Sequence, residues 1–156
     1  MAAGALERLR FSRREIDLVA GMITHHLRPA QLGRGEDELP TPRAIYRYFR
    51  DTGEAGTDTL FLSLADHLAT RGPHLDPAEW QRHARVTAHL LEAHQRSLQE
   101  VKTPRLVDGH DLMRHFGLAP GPRLGELLEG IKEAQAAGEV RTPEEALAWV
   151  ERQLRG

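Results

Sequence analysis

Cysteine is absent from the 156-residue sequence. That excludes disulfides and thiolate-held metals, and it agrees with a cytoplasmic location. Long apolar runs are missing too. The N-terminal MAAGALERLRFS lacks the apolar stretch of a signal peptide, and no segment is long enough to span a membrane. There is no G-x-x-x-x-G-K-[ST] and no D-x-D, the patterns that would cradle a nucleotide's phosphates or pair carboxylates around a metal. Ser63, in LSLAD, lies within an apolar helical pattern and lacks the sharp turn that exposes a nucleophile, so nucleophilic catalysis has no support. Alternating strand patterns, internal repeats and low-complexity tracts are also lacking. Charge is nearly balanced, at a net of -2, so no global basic field points to nucleic acid.

Lysine is scarce, Lys102 and Lys132 being the only two, so arginine carries almost all the positive charge. Residues 1–50 hold nine Arg against six acids, and residues 51–100 hold four against eight. Arginine suits bidentate phosphate contact. A GC-rich genome or a heat-adapted host accounts for the same bias.

What is present reads as helix throughout. Residues 3–10 form a short first helix. Ser12 and Glu15 make a capping box for the next, whose stripe Ile16, Val19, Ile23 continues to His26. Pro29 ends it, and residues 30–41 are a polar loop. Thr41-Pro42 opens a helix that closes at Gly53. Residues 59–70, nearly apolar all round, read as a central helix closed by Gly72. Asp76-Pro77 opens the longest helix, to about residue 101, with Trp80, Ala84, Thr87, Leu91 and Leu98 along one side. Pro104 marks a break within residues 102–107. Helices follow over 109–116, 122–137 and 143–154, with Gly138 after the second and a Thr142/Glu145 box opening the third. The expected fold is an all-α bundle of about seven or eight helices. Its divisions are residues 1–101 and a small C-terminal helical sub-domain, residues 102–156.

Two places suggest chemistry. The first is His26, facing inward, with Asp66 in the apolar helix. A carboxylate there needs a partner, which an Arg, a His or a metal could supply. Such a pair is half of a metal site at most, and an inward histidine is commonly just hydrogen-bonded in a core. His67 falls on another face, and the remaining histidines fall mostly on exposed ones. The second place is residues 121–125, GPRLG. A helix start leaves N–H groups unpaired and partly positive, a seat for phosphate. Gly121 keeps no side chain in the way, and Arg123 adds a fixed charge. A plain turn and helix start explains the same residues.

Residues 109–147, GHDLMRHFGLAPGPRLGELLEGIKEAQAAGEVRTPEEAL, resemble the C-terminal tail of bacterial tRNA nucleotidyltransferases and poly(A) polymerase-like proteins. That tail has the form DG-x-DLM-x-x-FGL-x-PGP-x-(I/L)G-x-LL, then EAQ-x-x-GE and a TxEEAL helix. Upstream, LRFSRREIDLVAGMITHHLRP and LFLSLADHLATRGP resemble the later part of the HD-type helical region such proteins often carry. There His26 would match the downstream histidine and Asp66 the last aspartate. The resemblance implies that the chain begins where the nucleotidyltransferase domain and the earlier HD ligands would have ended, as a fragment or as a split protein. It implies no activity and no cofactor for this chain alone, the parent enzyme needing Mg and nucleoside triphosphates. The role implied is to hold RNA, tRNA above all, by phosphate and shape. The residues expected to contact it are Lys102, Arg105, His110, Arg114, Gly121, Arg123 and Leu124. The missing nucleotidyltransferase region or a partner chain is the expected partner, and a homodimer through Leu6, Leu9 and Phe11 is an option. The alternatives are a remnant metal-dependent phosphohydrolase at His26 and Asp66, or a plain interaction domain.

Overall fold

A computed structural model describes residues 2–33, 38–99 and 105–155. No strand occurs among them, so the all-α class expected from the sequence holds. Nine α-helices lie among the described residues: α1 (Ala2–Arg8), α2 (Arg13–His25), α3 (Arg28–Leu32), α4 (Pro42–Thr52), α5 (Gly56–Arg71), α6 (Pro77–Gln99), α7 (Gly109–Phe116), α8 (Pro122–Ala136) and α9 (Pro143–Arg155). Two compact units emerge. One comprises residues 1–40 and 47–99; the other comprises residues 41–46 and 100–156. The first residues of α4 therefore group with the second unit.

In the first unit, α2 begins at a complete capping box. Ser12 Oγ accepts the Glu15 N–H at 3.3 Å, and Glu15 Oε2 accepts the Ser12 N–H at 2.8 Å. Pro29 departs from expectation. It opens α3 within the first turn instead of merely ending α2, because a missing N–H costs nothing where the helix has no acceptor for it. Helix α5 packs against α2, α3 and α6, the central place its all-round apolar character predicts. Beside it Tyr48 is fully buried, and its hydroxyl donates to the Gly56 carbonyl at 2.9 Å. Burial pushes that phenol up. The face that α6 turns inward differs from the expected stripe. His83, Val86, Thr87 and Leu90 are buried, while Leu98 is 71% exposed. Thr87 lies on the expected stripe and is buried, whereas Trp80, Ala84 and Leu91 are half-buried; the polar His83 takes one of the unexpected interior positions, so counting apolar residues selects a face rotated from the true one.

In the second unit, α7 opens on a box the sequence reading passed over. Asp108 Oδ1 accepts the Asp111 N–H at 2.9 Å, and Asp111 Oδ2 accepts the Asp108 N–H at 3.0 Å. Gly117 ends α7 at φ 66, where a Cβ would strain the chain. Leu124, Leu127, Ile131 and Ala134 line one face of α8 and meet Leu112, Val140, Ala146 and Val150 in a dry core. Each fully buried aliphatic side chain of this kind contributes about 1.5–3 kcal/mol. The turn into α9 uses Gly138 at φ 75, and the Glu139 N–H donates to the Ala134 carbonyl at 2.9 Å, the six-to-one bond of a Schellman end. Thr142 Oγ1 accepts the Glu145 N–H at 3.2 Å, but Glu145 Oε2 accepts from the Arg141 N–H at 2.6 Å. The expected box is thus displaced by one residue on its return arm. Gly130 lies so close to the Trp149 ring that a Cβ there would overlap it. Arg43, in the first turn of α4, pairs with the buried Glu133 at 3.4 Å and with Glu139 at 2.6 Å. These pairs join residues 41–46 to this unit.

Candidate nucleic-acid interface

Three places in the second unit bear on the expected contacts. On α7, Leu112 is buried while His110 and Arg114, four residues apart, are exposed. Arg114 is 3.2 Å from Asp111, so its charge is partly offset. Near the start of α8, the Arg123 guanidinium is pinned. Nη1 is 3.3 Å from Glu126, and Nη2 donates to the Gln153 carbonyl at 3.2 Å. That carbonyl lies in the last turn of α9, where a helix carries partial negative charge. Arg123 therefore ties α8 to α9 while remaining open to solvent.

The GPRLG turn needs a correction at Leu124. Its side chain is buried in the core, and its N–H donates to the Gly121 carbonyl at 3.1 Å. The first turn closes tightly on itself, so that amide is not offered to a phosphate. At Gly121 a Cβ would meet nothing within 4 Å. The site is open to a close approach, though the glycine is not required by packing.

The third place is a cavity of about 580 Å³, lined by Tyr46, Arg105, Leu128, Ile131, Lys132 and Gln135 among others. Arg105 is exposed at this cavity. Lys132 Nζ is 3.1 Å from Glu129 Oε2, and the Tyr46 hydroxyl donates to Glu129 Oε1 at 2.9 Å. Glu129 thus fixes a phenol and an ammonium together. The cavity combines an apolar floor with two cations and an aromatic ring, the mixture that suits a base stacked beside its phosphates. Of the expected residues, Arg105 lies in this cavity and His110 and Arg114 share one helix face. Lys102 lies outside the described residues. Tyr46 and Lys132 were not expected. Lys132's rarity as a lysine was a signal; Tyr46, over eighty positions away in sequence, offered none.

Two comparisons bear on this arrangement. Residues 74–150 match the family model for tRNA nucleotidyltransferase domain 2. The chain is 37% identical to the A-adding tRNA nucleotidyltransferase of Deinococcus radiodurans over 94% of its own length and 32% of that enzyme's. It is 32% identical to the CC-adding tRNA nucleotidyltransferase of Thermus thermophilus, over 96% of its length and 31% of that enzyme's. The Synechocystis CC-adding enzyme is 26% identical over 97% of the chain. This chain matches a C-terminal region of the tRNA nucleotidyltransferase family. It spans about a third of the length of the curated relatives it matches. No solved structure matches it significantly.

The HD-type pair that the resemblance to tRNA nucleotidyltransferases implies sits as follows. His26 is half-buried, and its Nδ1 is 2.7 Å from the Ile23 carbonyl. It is not among the buried core residues, and Ile23, before it on the expected stripe, is 46% exposed. Asp66 is half-buried on α5. Among the described residues no group of three or more His, Cys, Asp or Glu could hold a metal. The residues present do not fit an HD-type ion. The expectation that the other histidines are mostly exposed fails at His83, which is 5% exposed, and the neighbouring His67 is 7% exposed. No helix among the described residues is long and apolar enough to cross a membrane.

Proposed function

We propose that this chain is the RNA-holding, non-catalytic part of a tRNA nucleotidyltransferase, gripping the tRNA body through backbone phosphates and shape. What supports the reading is that one region, nearly the whole chain, is similar both to an A-adding and to a CC-adding tRNA nucleotidyltransferase. Enzymes that add different nucleotides share it, so its task is one common to both, and the substrate RNA is what both names share. Nucleotide addition, with its Mg and nucleoside triphosphates, falls in this reading to the two-thirds of the relatives' length that the chain does not span, in the same polypeptide or in a partner. A cytoplasmic location goes with it.

In this reading Arg105 and Lys132 carry the main contact, with Arg114, His110 and Arg123 as flanking charges. The double variant Arg105→Glu, Lys132→Glu lowers tRNA affinity at low salt at least about tenfold, measured by fluorescence anisotropy of labelled tRNA. Unchanged affinity, with helical content preserved, removes that cavity from the interface.

A second reading, self-association, is favoured by one observation: Leu9 is 69% and Phe11 44% exposed in the first unit. A second copy of the chain is the occupant. Sedimentation equilibrium should show a dimer that Leu9→Glu with Phe11→Ser converts to monomer; a monomer at high concentration ends this reading.

A further inference from the structure

Helix α5 is apolar on nearly every side, a pattern that calls for cover all round. Its neighbours α2, α3 and α6 give it one covered side, where Thr59, Leu60, Ser63 and His67 are buried. The opposite side is open among the described residues. Phe61 is 56% and Leu68 44% exposed, and Ala65 and Ala69 on the same face are exposed as well. Leu62 and Leu64 flank this stripe, half-buried. Between Asp58 and Arg71 the only charged residue is Asp66, which is next to Ala65 and so points about 100° away from it. A single exposed leucine needs no explanation, but a continuous apolar helix face does.

Asp58, Phe61, Ala65, Leu68 and Gly72 follow one another at intervals of three, four, three and four residues. That is the spacing of a seam along which one helix packs on another. The two ends of the seam differ in sign. Asp58 is exposed in the first turn of α5, and Arg71 is exposed in the last. Arg71 Nε is 3.4 Å from Glu79 Oε2, so its charge is partly offset but still faces solvent. Ala65 stands midway between Phe61 and Ala69, and almost midway between Asp58 and Arg71. Turned end for end about Ala65, the seam therefore matches itself, apolar on apolar and acid on base.

We propose that α5 pairs antiparallel with α5 of a second copy of the chain, about a two-fold axis at Ala65. The inference rests on the self-association reading above and supplies the helix at its centre; it does not rest on the tRNA role. Phe61 of each copy meets Leu68 and Ala69 of the other. The small Ala65 at the axis lets the two helices approach closely. Each Asp58 comes to the end that bears the other copy's Arg71, and the reversed directions set each partly positive helix start beside a partly negative end. A surface complementary to itself is what a two-fold contact requires. One helix face buries less than the roughly 1,200 Å² of a standard interface, so the dimer is weak, with a Kd on the order of 10–100 μM.

The test uses the full chain. The sequence has no cysteine, so Ala65→Cys places a single thiol at the proposed axis, where two close helices can meet the span of a disulfide. Under mild oxidation above the Kd, this variant should cross-link to itself at least about tenfold faster than Ala88→Cys, at an exposed position of α6. In sedimentation equilibrium, Phe61→Glu should raise the Kd at least about tenfold with helical content unchanged. Asp58→Lys and Arg71→Glu should each weaken the dimer about threefold, and the two together should restore it, which damage to the fold would not do. Equal cross-linking of Ala65→Cys and Ala88→Cys overturns the pairing, as does a Phe61→Glu chain that associates as tightly as the unchanged one. If Leu9→Glu with Phe11→Ser abolishes the dimer while every α5 change leaves it intact, self-association stands and α5 is not its surface. If Ala65→Cys cross-links fast and the dimer ignores Leu9 and Phe11, the α5 pairing stands without them. A chain that stays monomeric at every concentration overturns both, and leaves the open face of α5 to a different protein surface.

Discussion

The two units solve the problem of a helical core in opposite ways. The second is dry inside, and Glu133, paired with Arg43, is the one buried polar residue it shows among the described residues. The first buries Thr52, Thr59, Ser63, His67, His83 and Thr87. It also turns apolar groups outward, among them Leu9, Leu27, Phe61 and Leu98. An apolar core settles its own geometry and needs nothing else. In the first unit Thr52, Thr59 and Ser63 find partners within the core, while His67 Nε2, His83 Nδ1 and Thr87 Oγ1 are buried without one. Trp80 stands in the first unit and Trp149 in the second, so each can be followed by its own fluorescence once the other tryptophan is changed to phenylalanine.

The largest expected break is in the dry core. Leu112→Ala should destabilise the second unit by about 2–5 kcal/mol, seen as a lower urea midpoint for Trp149. A loss under about 1 kcal/mol would mean that this core is not the close-packed unit described.

Next is pH. His83 is held down to about 4 in the folded chain by burial, then by His67 and Arg71. The unfolded chain, with an ordinary imidazole near 6.5, binds the extra proton first as pH falls. Stability from this residue is therefore complete above about pH 6.5 and is lost progressively down to about pH 4, by up to about 3 kcal/mol. His67, also lowered by burial, adds in the same direction. Between pH 7 and 5 the Trp80 transition should weaken while the Trp149 transition holds; equal sensitivity would erase the contrast between the units.

Gly130→Ala comes third, costing the second unit about 1–3 kcal/mol by overpacking against Trp149, with a matching change in Trp149 emission. Asp108→Ala is the mildest, at about 1 kcal/mol for a lost helix cap, measured by the same denaturation.

The same contrast explains what the sequence made visible. In the tail, most local signals agree with the fold: helices over 109–116 and 122–137 against α7 and α8 and a left-handed Gly138, the return arm of the Thr142/Glu145 box being the exception. In the first unit the signals conflict. The inward face of α6 carries His83 beside the expected Thr87, and the apolar count that includes Leu98 ends on an exposed residue. Pro29 marks a boundary without saying that it also begins a helix. The cavity partners of Arg105 could not be read, because Tyr46 reaches that unit only through tertiary packing. The orphaned imidazoles were hidden for the same reason, since only the approach of α6 to α5 buries His67 and His83 together.

The central claim is that the chain holds tRNA through phosphate contacts, and a titration of tRNA against the full chain at several salt concentrations tests it most directly. The account predicts binding at low salt whose affinity falls linearly on logarithmic axes as salt rises, with a slope that grows shallower by about 1 for each contacting cation removed. Absence of binding at low salt, or an affinity indifferent to salt, would contradict it.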